Sequence, residues 1–286
     1  DSTPAGVGFS VTGTVMQIRL PEPVGPGKSI ELSFDWNLRI APDGPRGGQD
    51  RETYVLSYWY PQMAVYDDVG GWQVDQYLGN AEFYMGYADY DVALTVPAGW
   101  LVTSTGELTN ADEVLAEETR RRLAQARSSG TVVNVVRQQE RGAGKSTTEG
   151  SDGKLTWRYR ANNVRDVTWA TSNLYLWDAV GVETGDVNGD GRADTTLVES
   201  FYRPDRLRDG WHESARYGAK AISVYSKALW PYPWPHMSVV DGPPSCGGME
   251  YPMLTCIGGS FNARSLFDVE AHEIALAGGH TPDLDS

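Results

Sequence analysis

Gly247-Gly248-Met249-Glu250-Tyr251-Pro252 and His272-Glu273-Ile274-Ala275-Leu276 are the two stretches that decide our interpretation of the fold. A metal-binding helix of the H-E-x-x-H type needs histidines at i and i+4, because that spacing places both imidazoles on one face. His272 and Glu273 fill the first two positions of this pattern, but Leu276 stands at the last one. The sequence therefore begins a metal-site motif and departs from it within about one helical turn.

The chain before and around these stretches alternates strands and helices. From a boundary near Arg165, the patterns predict strands over residues 169–180, 195–202 and 237–240. A helix is predicted over residues 208–229, where a proline-rich segment ends it, and another over residues 260–277.

Residues 8–110 have the pattern of β structure. Alternating runs cover residues 15–20, 30–36 and 91–97, with Gly/Pro turns between them. A helix over residues 111–128, capped by Asn110, is followed by strands over residues 132–136 and 155–159. Many short strands with such turns favour an antiparallel β-sandwich. We therefore predict an α+β protein, with a β-sandwich over residues 1–165 and an α/β domain over residues 166–286.

Charge and composition disfavour several classes of partner. The net charge of −14 and the pI of about 4.7 disfavour nucleic acid, which is bound by clustered Lys and Arg. No apolar run approaches the roughly 20 residues of a membrane span. The sequence begins at Asp1 rather than at Met, so we expect a processed chain. We expect Cys246 and Cys256 to be free thiols, because a bridge would require the chain to turn back between them.

An acidic loop follows the first strand of the second region, with the sequence Asp186-Val187-Asn188-Gly189-Asp190-Gly191-Arg192-Ala193-Asp194. Oxygen-bearing side chains at positions 1, 3, 5 and 9, with Gly at position 6, match a calcium loop. Position 12 is Leu197 instead of the usual Glu. We predict a calcium ion held by Asp186, Asn188, Asp190, the carbonyl of Arg192 and Asp194. The alternative is an acidic β-turn without an ion.

These stretches together resemble the gluzincin aminopeptidases, the aminopeptidase-N-like zinc metallopeptidases, and more closely their bacterial secreted branch. Residues 57–62, 82–84 and 89–92 are similar to the N-terminal sandwich of that family, and residues 166–170 to the beginning of its catalytic domain. Residues 247–251 match the strand motif G-x-M-E-N, with Tyr251 in place of Asn. The resemblance implies a thermolysin-like catalytic domain, cut short in this chain, and a secreted or periplasmic location.

The resemblance also implies roles for individual residues. Glu250 would bind the free α-amine of a peptide, and the backbone of Gly247, Gly248 and Met249 would pair with an extended substrate. His272 would be a zinc ligand and Glu273 the general base. Leu276 cannot bind zinc, and the chain ends before the third ligand of the family. His280, with Asp283 and Asp285, is then the replacement ligand that the sequence offers.

Two functions follow as alternatives. The first is a metal-dependent hydrolase with weak or altered activity on peptides or small esters, using zinc and calcium. The second is a non-catalytic, calcium-stabilised β-sandwich fragment that binds peptide or glycan. A glycosidase is a third option, although no spacing singles out a pair of carboxylates. In either main case we expect self-association to cover the apolar surface left by the missing part of the catalytic domain.

Overall fold

The structure is a computed structural model, and it describes residues 8–42, 44, 46–76 and 83–259. Its strands within these ranges are β1 (Gly8–Thr12), β2 (Val15–Arg19), β3 (Gly48–Asp50), β4 (Thr53–Leu56), β5 (Tyr66–Asp67), β6 (Gly71–Trp72), β7 (Ala88–Pro97), β8 (Leu101–Ser104), β9 (Glu107–Leu108), β10 (Val133–Val136), β11 (Lys154–Val164), β12 (Trp169–Ser172), β13 (Leu176–Gly185), β14 (Asp194–Tyr202), β15 (His236–Asp241), β16 (Gly248–Tyr251) and β17 (Leu254–Ile257). Its helices there are α1 (Ala111–Val114), α2 (Glu117–Ser128) and α3 (Ser214–Ala228), with short 3-10 helices at Gln138–Glu140, Pro204–Asp209, Trp211–Glu213 and Pro244–Cys246. The protein is thus a mixed α+β protein, as the sequence predicts, and its described residues contain more strand than helix.

The chain divides into two units by its contacts. The first comprises Asp1–Arg39 and Tyr60–Tyr87, and the second comprises Ile40–Trp59 and Ala88–Ser286. In the first unit, β1 pairs with β2 and β5 pairs with β6, both antiparallel. The predicted domain boundary near Arg165 falls within the second unit, between β11 and β12.

The largest sheet of the second unit has six strands in the order β10-β13-β14-β15-β17-β16. Neighbours β14, β15 and β17 run parallel, whereas β13, β10 and β16 join antiparallel at the two sides. β14 is buried on both faces, because seven consecutive residues from Thr196 to Tyr202 are buried and neighbouring residues of a strand point to opposite faces. This burial is typical of a strand inside a sheet that is covered on both sides.

Helices cover both faces of this sheet. Successive residues of a strand point to opposite faces, so Leu197 and Val198 mark the two sides. Val198 packs with Ala215 of α3, whereas Leu197 belongs to the core cluster that includes Ala126 of α2. The sheet therefore has α2 on one face and α3 on the other.

Two antiparallel sheets complete the second unit, in the orders β3-β4-β12-β8 and β7-β11-β9. Residues of both sheets share one apolar core with the six-stranded sheet, including Val55, Leu94, Trp157 and Leu197. β12 follows residue 165 but pairs with β4 and β8, which precede it. Within the described ranges, none of the helices is both long enough and apolar enough to cross a membrane.

The structure corrects several predicted elements. Residues 30–36 form no strand, although they alternate: Ile30, Phe34 and Trp36 are 48%, 38% and 49% exposed, so their alternation does not correspond to a buried face. The predicted helix over residues 111–128 is interrupted at Leu115 and Ala116.

The helix predicted over residues 208–229 also differs, since only Ser214–Ala228 is α-helical and 3-10 turns precede it. Asn110 precedes α1 as predicted, but its side chain does not cap the helix. Instead, Nδ2 of the Asn110 side chain donates to the Thr156 carbonyl at 2.9 Å. Its Oδ1 accepts from the backbone N–H of Arg158 at 2.9 Å. This side chain therefore ties the start of the helix to β11.

Candidate functional site

β16 carries Gly248 to Tyr251 of the Gly-Gly-Met-Glu-Tyr motif, with Gly247 directly before it, and lies at the edge of the six-stranded sheet. It pairs antiparallel with β17, with Glu250 opposite Thr255 and Tyr251 opposite Leu254. Among the described residues no strand pairs with its other side. An edge strand presents unpaired backbone groups, which an extended peptide can use as a template.

Alternation along β16 separates a core face from an exposed face. Met249 and Tyr251 are 7% and 5% exposed, whereas Gly248 and Glu250 are exposed. The Tyr251 hydroxyl donates to the Arg46 carbonyl at 2.7 Å, and burial raises the pKa of Tyr251 well above its usual value. Tyr251 thereby anchors the strand, and Glu250 keeps its carboxylate on the solvent side.

Gly248 lies next to Glu250 on the exposed face, where its missing side chain leaves open space. No described atom would lie within 4 Å of a Cβ added to Gly248, and its backbone has no positive φ. Neither packing nor backbone conformation therefore requires glycine at this position. Gly247 differs, because its φ of +60° is one that favours glycine.

Cys246 and Cys256 form a disulfide, so the predicted free thiols are wrong. The turn between β16 and β17 reverses the chain, which places Cys256 opposite Met249 in the hairpin. The 3-10 helix Pro244–Cys246 ends beside β17, so the Cα atoms of Cys246 and Cys256 lie 5.9 Å apart. Gly242 lies against both sulfurs, where a Cβ would overlap them. The disulfide therefore fixes the segment that leads into β16.

The residues predicted to hold zinc lie outside the described residues. These are His272 and His280; the predicted general base Glu273 and the helix predicted over residues 260–277 lie outside them too. Across residues 8–42, 44, 46–76 and 83–259, no group of three or more His, Cys, Asp or Glu is arranged to hold a metal ion.

The predicted calcium loop connects β13 to β14 and is folded around Asp186. Oδ1 of Asp186 accepts from the amides of Gly189 at 2.7 Å and Asp190 at 3.1 Å. Its Oδ2 accepts from the amide of Gly191 at 2.8 Å. Three amides of the loop therefore converge on the first predicted ligand.

The other predicted ligands also bond to amides of the loop. Asn188 accepts from the Asp190 amide at 2.9 Å, Asp190 from the Arg192 amide at 2.9 Å, and Asp194 from the Val187 amide at 2.9 Å. Four of the five predicted calcium residues thus lie in an exposed loop, and Asp194, which is half-buried, begins β14. The acidic side chains there are held by local N–H groups.

A buried His–Glu pair in the same sheet is absent from the predicted sites. Nδ1 of His236 lies 3.1 Å from Oε2 of Glu199, and its Nε2 lies 2.7 Å from the Gly106 carbonyl oxygen. The sequence contains a signal for this pair, because Glu199 is the one ionisable side chain in the buried run Thr196 to Tyr202, apart from the tyrosine at its end. Its partner could not be identified, since the two residues are far apart along the chain.

Comparison with known proteins adds no assignment: no protein-family model matches the chain, and no curated protein matches it.

Proposed function

We propose that this chain is a metallohydrolase related to zinc aminopeptidases, with weak or altered hydrolysis of peptides or small esters. The observation that carries the proposal is β16, a sheet edge whose exposed face bears Glu250 beside Gly248. A strand edge without a neighbouring strand suits an extended peptide, and a carboxylate beside it suits the ammonium group at a peptide's N-terminus. On this strand the Glu250 carbonyl accepts from Nη2 of Arg165 at 3.5 Å. The open space at Gly248 supports the same interpretation, because it lets a second backbone approach.

We infer a thermolysin-like domain around the six-stranded sheet and a sandwich in the sheets β3-β4-β12-β8 and β7-β11-β9. The resemblance implies a substrate cleft lined by the strand that carries the G-x-M-E-N motif. In this chain the motif lies on a terminal strand that is antiparallel to its neighbour, beside the parallel strands β14, β15 and β17. We therefore assign the substrate-binding role to Gly247, Gly248, Met249 and Glu250.

The proposed reaction centre uses residues that follow the described part of the chain. Glu273 is the general base that takes a proton from the attacking water, and His272 and His280 are the metal ligands. Zinc supplies Lewis acidity at such sites. Two imidazoles fall short of the three protein ligands that catalytic zinc sites normally have, and Leu276 offers no donor atom. This shortage is the reason for proposing weak or altered activity.

Matched substrates and variants test the proposal. Glu273→Gln keeps the size of the side chain and removes its basicity, so turnover should fall about 10²-fold. Glu250→Gln should lower hydrolysis of an aminoacyl anilide, which has a free amine, and should leave hydrolysis of a neutral ester nearly unchanged. Glu117→Gln, an exposed change on α2, is the control and should alter neither. Full activity of Glu273→Gln on both substrates would refute the proposed centre.

The second candidate is a non-catalytic, calcium-stabilised fragment that binds peptide or glycan, and the Asp186 loop favours it. Added calcium should raise the melting temperature by mass action, by an amount equivalent to about 2.7 kcal/mol at a calcium concentration 100 times Kd. Asp186→Asn should abolish that response. Asp152→Asn is the matched control, because Asp152 also accepts a backbone amide, from Lys154 at 3.2 Å. A melting temperature insensitive to both EDTA and calcium would exclude the calcium site.

We also propose that the protein is secreted or periplasmic. The disulfide between Cys246 and Cys256 supports this location, because such bonds persist in oxidising compartments.

A further inference from the structure

A cavity of about 440 Å³ lies between α2 and the face of the six-stranded sheet that α2 covers. Trp177 of β13 and Phe201 of β14 form part of its wall, stacked with their ring centroids 5.0 Å apart. Leu197 and Leu123 add further apolar surface. This size is typical of small-molecule sites, which span about 300–1,000 Å³ and are mostly apolar with a few polar groups.

The polar groups at the floor of the cavity are Glu199 and His236, which are 8% and 5% exposed. The Gly106 carbonyl can only accept, so Nε2 of His236 carries a hydrogen. Nδ1 of His236 lies 3.1 Å from Oε2 of Glu199, so that carboxylate oxygen faces the imidazole ring. Oε1 of Glu199 has no donor among the described residues. The floor therefore offers a hydrogen-bond acceptor to a ligand.

The charged groups nearer the solvent include Arg120 and Arg127 of α2. Neither guanidinium has an acidic partner in the part of the chain that the structure describes, and Nε of Arg120 is buried there without an acceptor. On the same helix, Arg121 and Arg122 both pair with Glu118, at 2.8 Å each. The two arginines that line the cavity are thus the ones left without a carboxylate.

We propose that this cavity binds a small organic carboxylate with an apolar body and a hydrogen-bond donor at its far end. The carboxylate pairs with Arg120, since a guanidinium matches a carboxylate in geometry as well as in charge. The apolar body lies against Trp177 and Phe201, and the donor reaches Oε1 of Glu199. Binding here is independent of the proposed hydrolysis, so its test does not depend on that function.

Calorimetric titration with four related probes tests the ligand class. Hydroxyphenylpropanoate has all three features, phenylpropanoate lacks the hydroxyl, ethylphenol lacks the carboxylate, and tyramine replaces the carboxylate by an ammonium. We expect hydroxyphenylpropanoate to bind at least about 10-fold more tightly than ethylphenol or tyramine, which lack the carboxylate. We expect it to bind at least about 3-fold more tightly than phenylpropanoate, which lacks the hydroxyl. The exposed carboxylates of Glu107 and Asp112 also line the cavity, so tyramine is the informative competitor. Tyramine binding as tightly as the anion, or no binding of hydroxyphenylpropanoate, would overturn the proposal.

Variants of α2 test the location. Arg120→Gln should weaken binding of hydroxyphenylpropanoate about 10-fold or more, whereas Arg121→Gln, a neighbouring change outside the cavity, should leave it unchanged. Ala124→Phe fills the mouth from an exposed helix position, which keeps the fold, and should abolish binding. The indole N–H resonance of Trp177, assigned with Trp177→Phe, should shift when the probe binds. Equal effects of Arg120→Gln and Arg121→Gln, or an unaffected Ala124→Phe, would refute a site in this cavity.

Discussion

Reducing the Cys246–Cys256 disulfide should destabilise the protein by an amount that follows from the length of its loop. The two cysteines are separated by 10 positions in sequence. For a closed loop of that length, the chain-entropy relation gives about 2.7 kcal/mol at 25 °C. Both residues are buried, at 4% and 0% exposure, so reduction also places two thiols in a space fitted to one bond. We expect a loss of about 2–4 kcal/mol in the free energy of unfolding.

Urea unfolding of the oxidised and reduced protein measures this loss. The double variant Cys246→Ala/Cys256→Ala is the control, because its stability should not respond to the reductant. Hydrogen exchange adds a local measurement. The amides of β16 should exchange faster after reduction, whereas those of β13, in the interior of the same sheet, should change less.

Two results would contradict this reasoning. Equal stability of the oxidised and reduced forms would mean that the bond does not restrict the unfolded chain as the loop length implies. Uniform acceleration of exchange across β13 and β16 would mean that the disulfide supports the whole sheet rather than its edge.

Two further predictions concern buried carboxylates of the same sheet. Asp241→Asn should cost about 3–5 kcal/mol by urea unfolding, because Asp241 is fully buried and accepts from Arg203 at 2.6 Å and Arg206 at 3.1 Å. A cost below about 1 kcal/mol, the value of an exposed pair, would contradict this account. Burial raises the pKa of Asp178, so the native state holds its proton more tightly than the unfolded state, and this contribution to stability is lost as the pH rises through the native pKa. Relative to Asp178→Asn, the wild-type protein should therefore lose stability as the pH rises above the usual aspartate pKa of about 3.9, and a difference that stays constant with pH would refute the assignment.

The spacing of apolar residues is sufficient to predict a strand or helix where the apolar positions of that segment are also the buried ones. β7 alternates from exposed to buried over Ala93 to Val96, and the strand predicted over residues 91–97 lies within it. α2 and β14 were found for the same reason. Residues 30–36 alternate equally well, but a strand also needs a partner and a face to cover. Both depend on distant residues, so the alternation alone misled.

The parts of the candidate sites that the sequence did not reveal depend on contacts between distant segments. The disulfide needs the β16–β17 turn, which brings Cys256 back beside the end of the Pro244–Cys246 helix. The cavity needs α2 to lie over β13 and β14, and it needs His236 and Glu199 on neighbouring strands. Neither the disulfide nor the cavity corresponds to a recognisable spacing of residues in the sequence. By contrast, the Asp186 loop is local, so its hydrogen bonds join residues that are close together in the sequence.

The residues of β16 can be explained either by protection of an open sheet edge or by the approach of a second backbone. Natural sheets protect an open edge by keeping the strand short and by adding a charge, and four residues with Glu250 among them meet that need. Protection does not account for Gly248, because glycine weakens a strand and no described atom lies where its side chain would be. A second backbone approaching along this edge does account for it, since a bare Cα allows the closest contact. Gly248 and Glu250 share the exposed face, so under the proposed function the Glu250 carboxylate would lie on the same side of β16 as the open space at Gly248.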